Sequence, residues 1–140
     1  EVARIYIDAR GPRFGAVITT TVLAIALVTQ NKWVILAQAL VFAIGAIRGP
    51  QFTPYGLIFK TLIKPRLSQP GPTEDVRPPK FAQSVGFGFA LVGIIAGFAG
   101  ATTVFTVAVG FALGAAFLNA AFNYCLGCEM YLLLVRLTSK

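Results

Sequence analysis

"FAQSVGFGFALVGIIAGFAGATTVFTVAVGFALGAAFLNAAF" occupies residues 81–122 and carries no charged side chain. A helix crosses the hydrocarbon core of a bilayer with roughly 17–25 apolar residues. The stretch is therefore long enough to cross and return, with a turn near Gly100, and it predicts spans at about 81–100 and 102–123. Working outward toward the N-terminus, residues 14–30 are uncharged, and so are residues 33–47 before Arg48. These predict two further spans, at about 14–30 and 33–48. Both are short, so their ends should reach into the headgroup layer or the bilayer should thin locally. The first run lacks a convincing cleavage site and turns straight into another apolar helix, which argues against a signal peptide.

The composition points the same way. The chain of 140 residues is 56% hydrophobic and 12% charged, with a mean hydropathy of +0.76. Soluble domains carry about 25% charged residues, and small ones leave much of their area in water. The expected fold class is all-α: an integral membrane domain over residues 1–140 with four transmembrane helices in two hairpins. A cytoplasmic loop over 49–80, a short interfacial helix and a C-terminal helix after the cysteines complete it.

The net charge of +7 is distributed unevenly. Arg4, Arg10 and Arg13 precede the first run. Six basic residues lie between the second and third, and Arg136 and Lys140 follow the fourth. Only Lys32 falls on the opposite side. Lys and Arg in short flanking loops stay in the cytoplasm, so both termini are expected there, with the protein in the cytoplasmic (inner) membrane. The same charges attract anionic lipid headgroups. They are spread around span ends, which speaks against nucleic-acid binding.

Between the hairpins, "RGPQFTPYG" (residues 48–56) stops the second helix. "YGLIFKTLIKPR" (55–66) sets Leu57, Ile58, Leu62 and Ile63 against Lys60 and Lys64, the pattern of a short interfacial helix ended by Pro65. "SQPGPTEDVRPP" (68–79) reads as a mobile proline-rich connector, Ile5–Ile7 as a short extended segment, and Gly11-Pro12 as a turn into the membrane. Thr19, Thr20 and Thr21 can bond back to helix carbonyls. Gly93 and Gly97, like Gly110 and Gly114, are spaced for close helix approach, within the chain or between copies in a homo-oligomer.

The chemistry concentrates in "FNYCLGCEM" (residues 122–130). Cys125 and Cys128 are the only cysteines and the chain has no histidine. Counting about 1.5 Å per residue from Thr102 brings the fourth span to the cytoplasmic edge near Phe122. The cysteines then lie where the cytoplasm keeps thiols reduced, which disfavours a permanent disulfide. A helix break near 122–124 would start a new helix at the cysteines, whose N–H groups stabilise a thiolate. Glu129 opposes this unless it points away or pairs with Arg136 or a loop lysine. Three readings stand: thiol chemistry, two inert packing cysteines, or part of a metal site. A metal needs about four ligands, so only a dimer pooling two cysteine pairs, or a partner, would complete one. No cofactor is required by the sequence. Asn119 and Asn123 share a helix face nearby, as helix-packing amides or as groups supporting a thiolate.

"DARGPRFGA" (8–16), "TPYGLIFKTLIKPRL" (53–67), "PPKFAQSVG" (78–86) and above all "AAFLNAAFNYCLGCEMYLLL" (115–134) resemble a family of small bacterial four-helix membrane proteins. That family is catalogued as domain of unknown function 4395. The resemblance covers nearly the whole chain and implies Cys125, Cys128, Asn119, Glu129 and Tyr131 as motif positions, with Arg10, Pro12 and Arg13 at the other end. Family members look similar to companions of thioredoxin-like and sulfurtransferase proteins, which implies sulfur or thiol chemistry. The expected function is a thiol–disulfide or sulfur-relay protein with Cys125 attacking and Cys128 resolving, served by a thioredoxin-like or rhodanese-like partner. The alternative is an accessory subunit of a membrane complex, held by its glycine seams. With no charge inside the spans, a channel or transporter is disfavoured.

Overall fold

The computed structural model describes residues 6–8, 10–49, 52–66, 73–75, 77–122 and 126–138. Four long helices make the body: α1 (Arg10–Thr29), α2 (Lys32–Ile47), α4 (Arg77–Ala99) and α5 (Thr102–Phe122). Between them lie the short strand β2 (Thr73–Asp75) and the short α3 (Pro54–Ile58), which runs into a π-helical turn and a 3-10 turn ending at Arg66. The strand β1 (Tyr6–Asp8) precedes α1, and α6 (Leu126–Thr138) ends the described chain.

Both helical hairpins close with the same device. Gln30 (φ 53°) and Gly100 (φ 77°) take left-handed backbone conformations. The next residues then donate back, Asn31 N–H to the Ala26 carbonyl at 3.3 Å and Ala101 N–H to the Ala96 carbonyl at 2.8 Å. That satisfies carbonyls a helix end would otherwise orphan. Asn31 caps α2 by accepting from Trp33 N–H at 2.8 Å.

The helices pack in a ring, each against the next and α5 back against α1. Glycines show that neighbours run antiparallel. A Cβ at Gly45 would meet the Gln83 side chain at 2.7 Å, one at Gly86 the Phe42 ring at 2.7 Å, and one at Gly97 Lys32 Cβ at 2.9 Å. Gly93 lies 3.3 Å, by the same measure, from Val109 on α5. The start of α1, the end of α2, the start of α4 and the end of α5 therefore share one end, while Lys32 and Trp33 mark the other. At that far end Trp33 meets Phe98 edge-on at 5.5 Å, and Lys32 Nζ lies 5.2 Å from the Phe98 ring.

The core is made of small and medium side chains, with Leu23, Ala26, Ile35, Ala39, Ala90, Phe105 and Val109 among its buried members. Large apolar side chains such as Val28, Leu40, Ile95 and Phe111 face outward. This is a bundle whose outer surface suits lipid. Thr20 and Thr21 bond back to the Ala16 and Val17 carbonyls, as their positions predicted. By length and hydropathy α1, α4 (from Pro79) and α5 are sufficient to cross a membrane; α2, at 16 residues, is shorter.

The structure corrects several expectations. The all-α class holds for the body of the chain, to which an unexpected ribbon of three residues per strand is added: β1 and β2 pair antiparallel, Tyr6 opposite Asp75 and Asp8 opposite Thr73. Part of the connector expected to be mobile is thus held as a strand; its residues 68–72 lie outside the described residues. Gly11-Pro12 is not a turn, and Pro78-Pro79 is not part of a connector. They form the first turns of α1 and α4, where a proline's missing N–H has no helical acceptor to miss. In the interfacial segment Leu57, Ile58 and Leu62 are exposed, and the buried anchor is Phe59. Phe59 packs 5.8 Å from the Phe14 ring. The π turn from Phe59 to Ile63 breaks the α period on which the predicted face rested.

Candidate functional site

At the end of the bundle opposite Lys32 the four helices leave a cavity of about 510 Å3, which α6 covers in part. It is lined by polar Arg13, Gln83, Asn119, Cys128 and Glu129 and by aromatic Phe42, Phe89 and Phe111, the last also 63% exposed on the outer surface. Phe89 and Phe111 face each other at 6.0 Å.

The positions follow from local structure. Arg13 lies in the first turn of α1 and donates from Nε to the Ala120 carbonyl at 3.2 Å, tying that helix to the end of α5. Asn119 is one residue earlier on α5 and partly buried. The described part of α5 ends at Phe122 and that of α6 begins at Leu126; the helix break expected near 122–124 falls on residues that lie, from 123 on, outside the described ones. Cys128 is the third described residue of α6.

The backbone of α6 lies close on α4. A Cβ at Gly127 would stand 2.6 Å from Ala82 Cβ and 2.7 Å from Ala82 Cα. Only glycine fits there, so the Gly of Cys-Leu-Gly-Cys has a packing role whatever the cysteines do. Tyr131 rests on Phe81 with ring centroids 5.7 Å apart, which fixes the next turn of α6 on the same helix.

Cys128 is disulfide-bonded, and no cysteine among the described residues is free. The expected depth disfavoured a permanent disulfide, and the structure differs: Cys128 is in one. Cys125 and Asn123 lie outside the described residues. Of the other predicted positions, Cys128, Asn119, Glu129 and Arg13 come together around the cavity, while Tyr131 and Arg10 are not on its wall. Among the described residues no three metal-ligating side chains cluster.

Gln83 and the aromatic wall were missed by the sequence reading. Gln83 Oε1 is buried with no hydrogen-bond partner among the described residues, as is Gln38 Nε2 in α2. A glutamine inside an apolar run is the signal that would have found both. Gln38 Oε1 accepts from Tyr55 OH at 2.7 Å, and burial raises the Tyr55 phenol above its ordinary value, keeping it a neutral donor.

No curated protein and no solved structure matches this chain. A family model matches residues 7–136, nearly its whole length, and the chain belongs to the family described as domain of unknown function 4395.

Proposed function

We propose that this protein is a four-span membrane thiol–disulfide or sulfur-relay protein working at the cytoplasmic rim, with Cys125 attacking and Cys128 resolving. The observation that carries the reading is a disulfide-bonded Cys128 on the wall of a sizeable cavity. In this reading α2 is the remaining span. Its 16 residues rise about 24 Å, and a thinned bilayer or the interfacial Trp33 and Arg48 make up the difference. Arg13, Arg48 and Lys80 lie at the cysteine end and Lys32 at the other, which supports cytoplasmic termini by the positive-inside rule.

A helix start at the cysteines would favour a thiolate at Cys125, and Glu129 beside the pair opposes one. The partner is a soluble thioredoxin-like or rhodanese-like protein exchanging at the rim. The test is maleimide labelling of the reduced protein, of Cys125→Ser and of Cys128→Ser across pH. One thiol should react well below pH 8.5, the region of the free thiol at about 8.5. Two thiols titrating near that value would reject the reading.

A second reading, an accessory subunit with passenger cysteines, is favoured by a different observation. Unlike Gly93 and Gly97, the α5 pair Gly110 and Gly114 has nothing within 4 Å of a built Cβ. Such a seam on the outside suits a neighbouring helix or a second copy of the chain.

A further inference from the structure

We infer that the cavity beside Cys128 binds a lipid-soluble quinone, which takes the electrons of the dithiol; this rests on the thiol reading above. A disulfide at the cytoplasmic rim faces a compartment that reduces it. Keeping the pair cycling needs a two-electron acceptor that reaches it by another route, and the bilayer offers one to a site built among membrane helices.

The cavity matches that acceptor in shape and in polarity. Its volume of about 510 Å3 falls among small-molecule sites of about 300–1,000 Å3. Phe42, Phe89 and Phe111 offer ring faces and edges to a flat conjugated ring. The hydrogen-bonding groups stand at the cysteine end. Arg13, whose Nε stays on the Ala120 carbonyl, and Asn119 both line the cavity and bring N–H donors to it. A quinone carbonyl accepting from these groups would hold its ring beside Cys128. The apolar walls, built largely from alanines such as Ala112, Ala115 and Ala116, leave room for the start of an isoprenoid tail.

The reaction balances without another reagent. One thiolate sulfur adds to a ring carbon of the quinone, forming an S–C bond. The second thiolate attacks that sulfur, so the S–S bond forms as the S–C bond breaks. The bonding pair passes to the ring, and the two thiol protons complete the hydroquinone. The dithiol is oxidised by two electrons and the quinone reduced by two.

The test uses the full chain in lipid nanodiscs, reduced and freed of reductant, with decyl-benzoquinone as probe and diamide as a water-soluble thiol oxidant. The expected result is saturable formation of one hydroquinone per chain, lost in Cys128→Ser. Narrowing the cavity with Ala115→Leu should raise the KM for the quinone at least tenfold. Gly110→Ala, on the outer face, should leave it unchanged. Because Ala115→Leu could misfold, Phe111→Ala serves as a second variant, and the quinone should raise the Tm of the oxidised wild type more than that of either. Diamide forming the disulfide while the quinone reacts without saturation, or reacts equally in both cavity variants, would overturn the quinone inference and leave the thiol reading standing. Failure of both oxidants to form the disulfide would overturn the two together.

Discussion

Replacing Gly127 with alanine tests the placement of α6 on α4 and thereby the position of Cys128. The new Cβ would stand 2.6 Å from Ala82 Cβ and 2.7 Å from Ala82 Cα. Ordinary carbon contacts lie at about 3.5–4.0 Å, so the helices must separate by about 1 Å. Ala82 is short and one of the clashing atoms is backbone, so no flexible side chain can yield. Overpacking of this kind costs about 1–3 kcal/mol. Exchanging glycine for alanine in a helix returns up to about 1 kcal/mol. A net loss of about 1–2 kcal/mol is expected, a factor of about 5–30 in the folded ratio. Reversible unfolding in mixed micelles would measure it, with Gly88→Ala as reference because nothing lies within 4 Å of its Cβ. Ala82→Gly in the same chain should recover part of the loss, since it removes one of the two clashing atoms and leaves the other. In reduced protein, Cys128 should label faster with maleimide as α6 lifts away. A Gly127→Ala variant as stable as Gly88→Ala, with unchanged labelling, would refute the docking of α6 on α4.

The remaining expectations concern other parts of the bundle. Phe59→Ala should cost about 3 kcal/mol, typical of a buried phenylalanine, and should expose residues 53–66 to protease. Gln38→Leu alone leaves the Tyr55 hydroxyl without its acceptor and should cost about 1–3 kcal/mol; adding Tyr55→Phe should restore most of it, as a double-mutant cycle would show. Burial raises the Tyr55 pKa above 10.0, so above that pH the unfolded chain releases its proton more readily than the folded one. Stability should therefore fall as pH rises past 10.0, less steeply in Tyr55→Phe. Gly97→Leu should disrupt the α2–α4 contact and unfold the bundle. Gly110→Leu should leave the monomer intact, and loss of a cross-linked dimer in that variant would favour the accessory-subunit reading.

The apolar runs made the four long helices legible because backbone satisfaction in lipid leaves an uncharged twenty-residue stretch few options besides a helix. Their ends beside the cysteines were less so. Arg10, Pro12, Pro78 and Pro79 read as loop residues, yet a first helical turn accepts prolines, so α1 and α4 begin earlier than their apolar stretches. The two glycine pairs look alike in sequence. Which one meets a neighbour depends on helix rotation, and only Gly93 and Gly97 face inward. At the site, local spacing placed Cys128 near Asn119 and Glu129. The aromatic wall and Gln83 come from α2, α4 and α5 by the ring arrangement, which no local pattern encodes. Phe59 was hidden by a π turn that sequence periodicity does not announce.

The two-stranded ribbon has a mechanical consequence. Tyr6–Asp8 leads within two residues into α1, and Thr73–Asp75 leads within two residues into α4. Those helices contribute Pro12, Arg13, Pro79 and Ala82 to the cavity wall. A load applied to the ribbon from outside the membrane would therefore reach two sides of the chamber. A soluble protein gripping those strands would hold both walls at once, as one grips a pair of tongs by its handles.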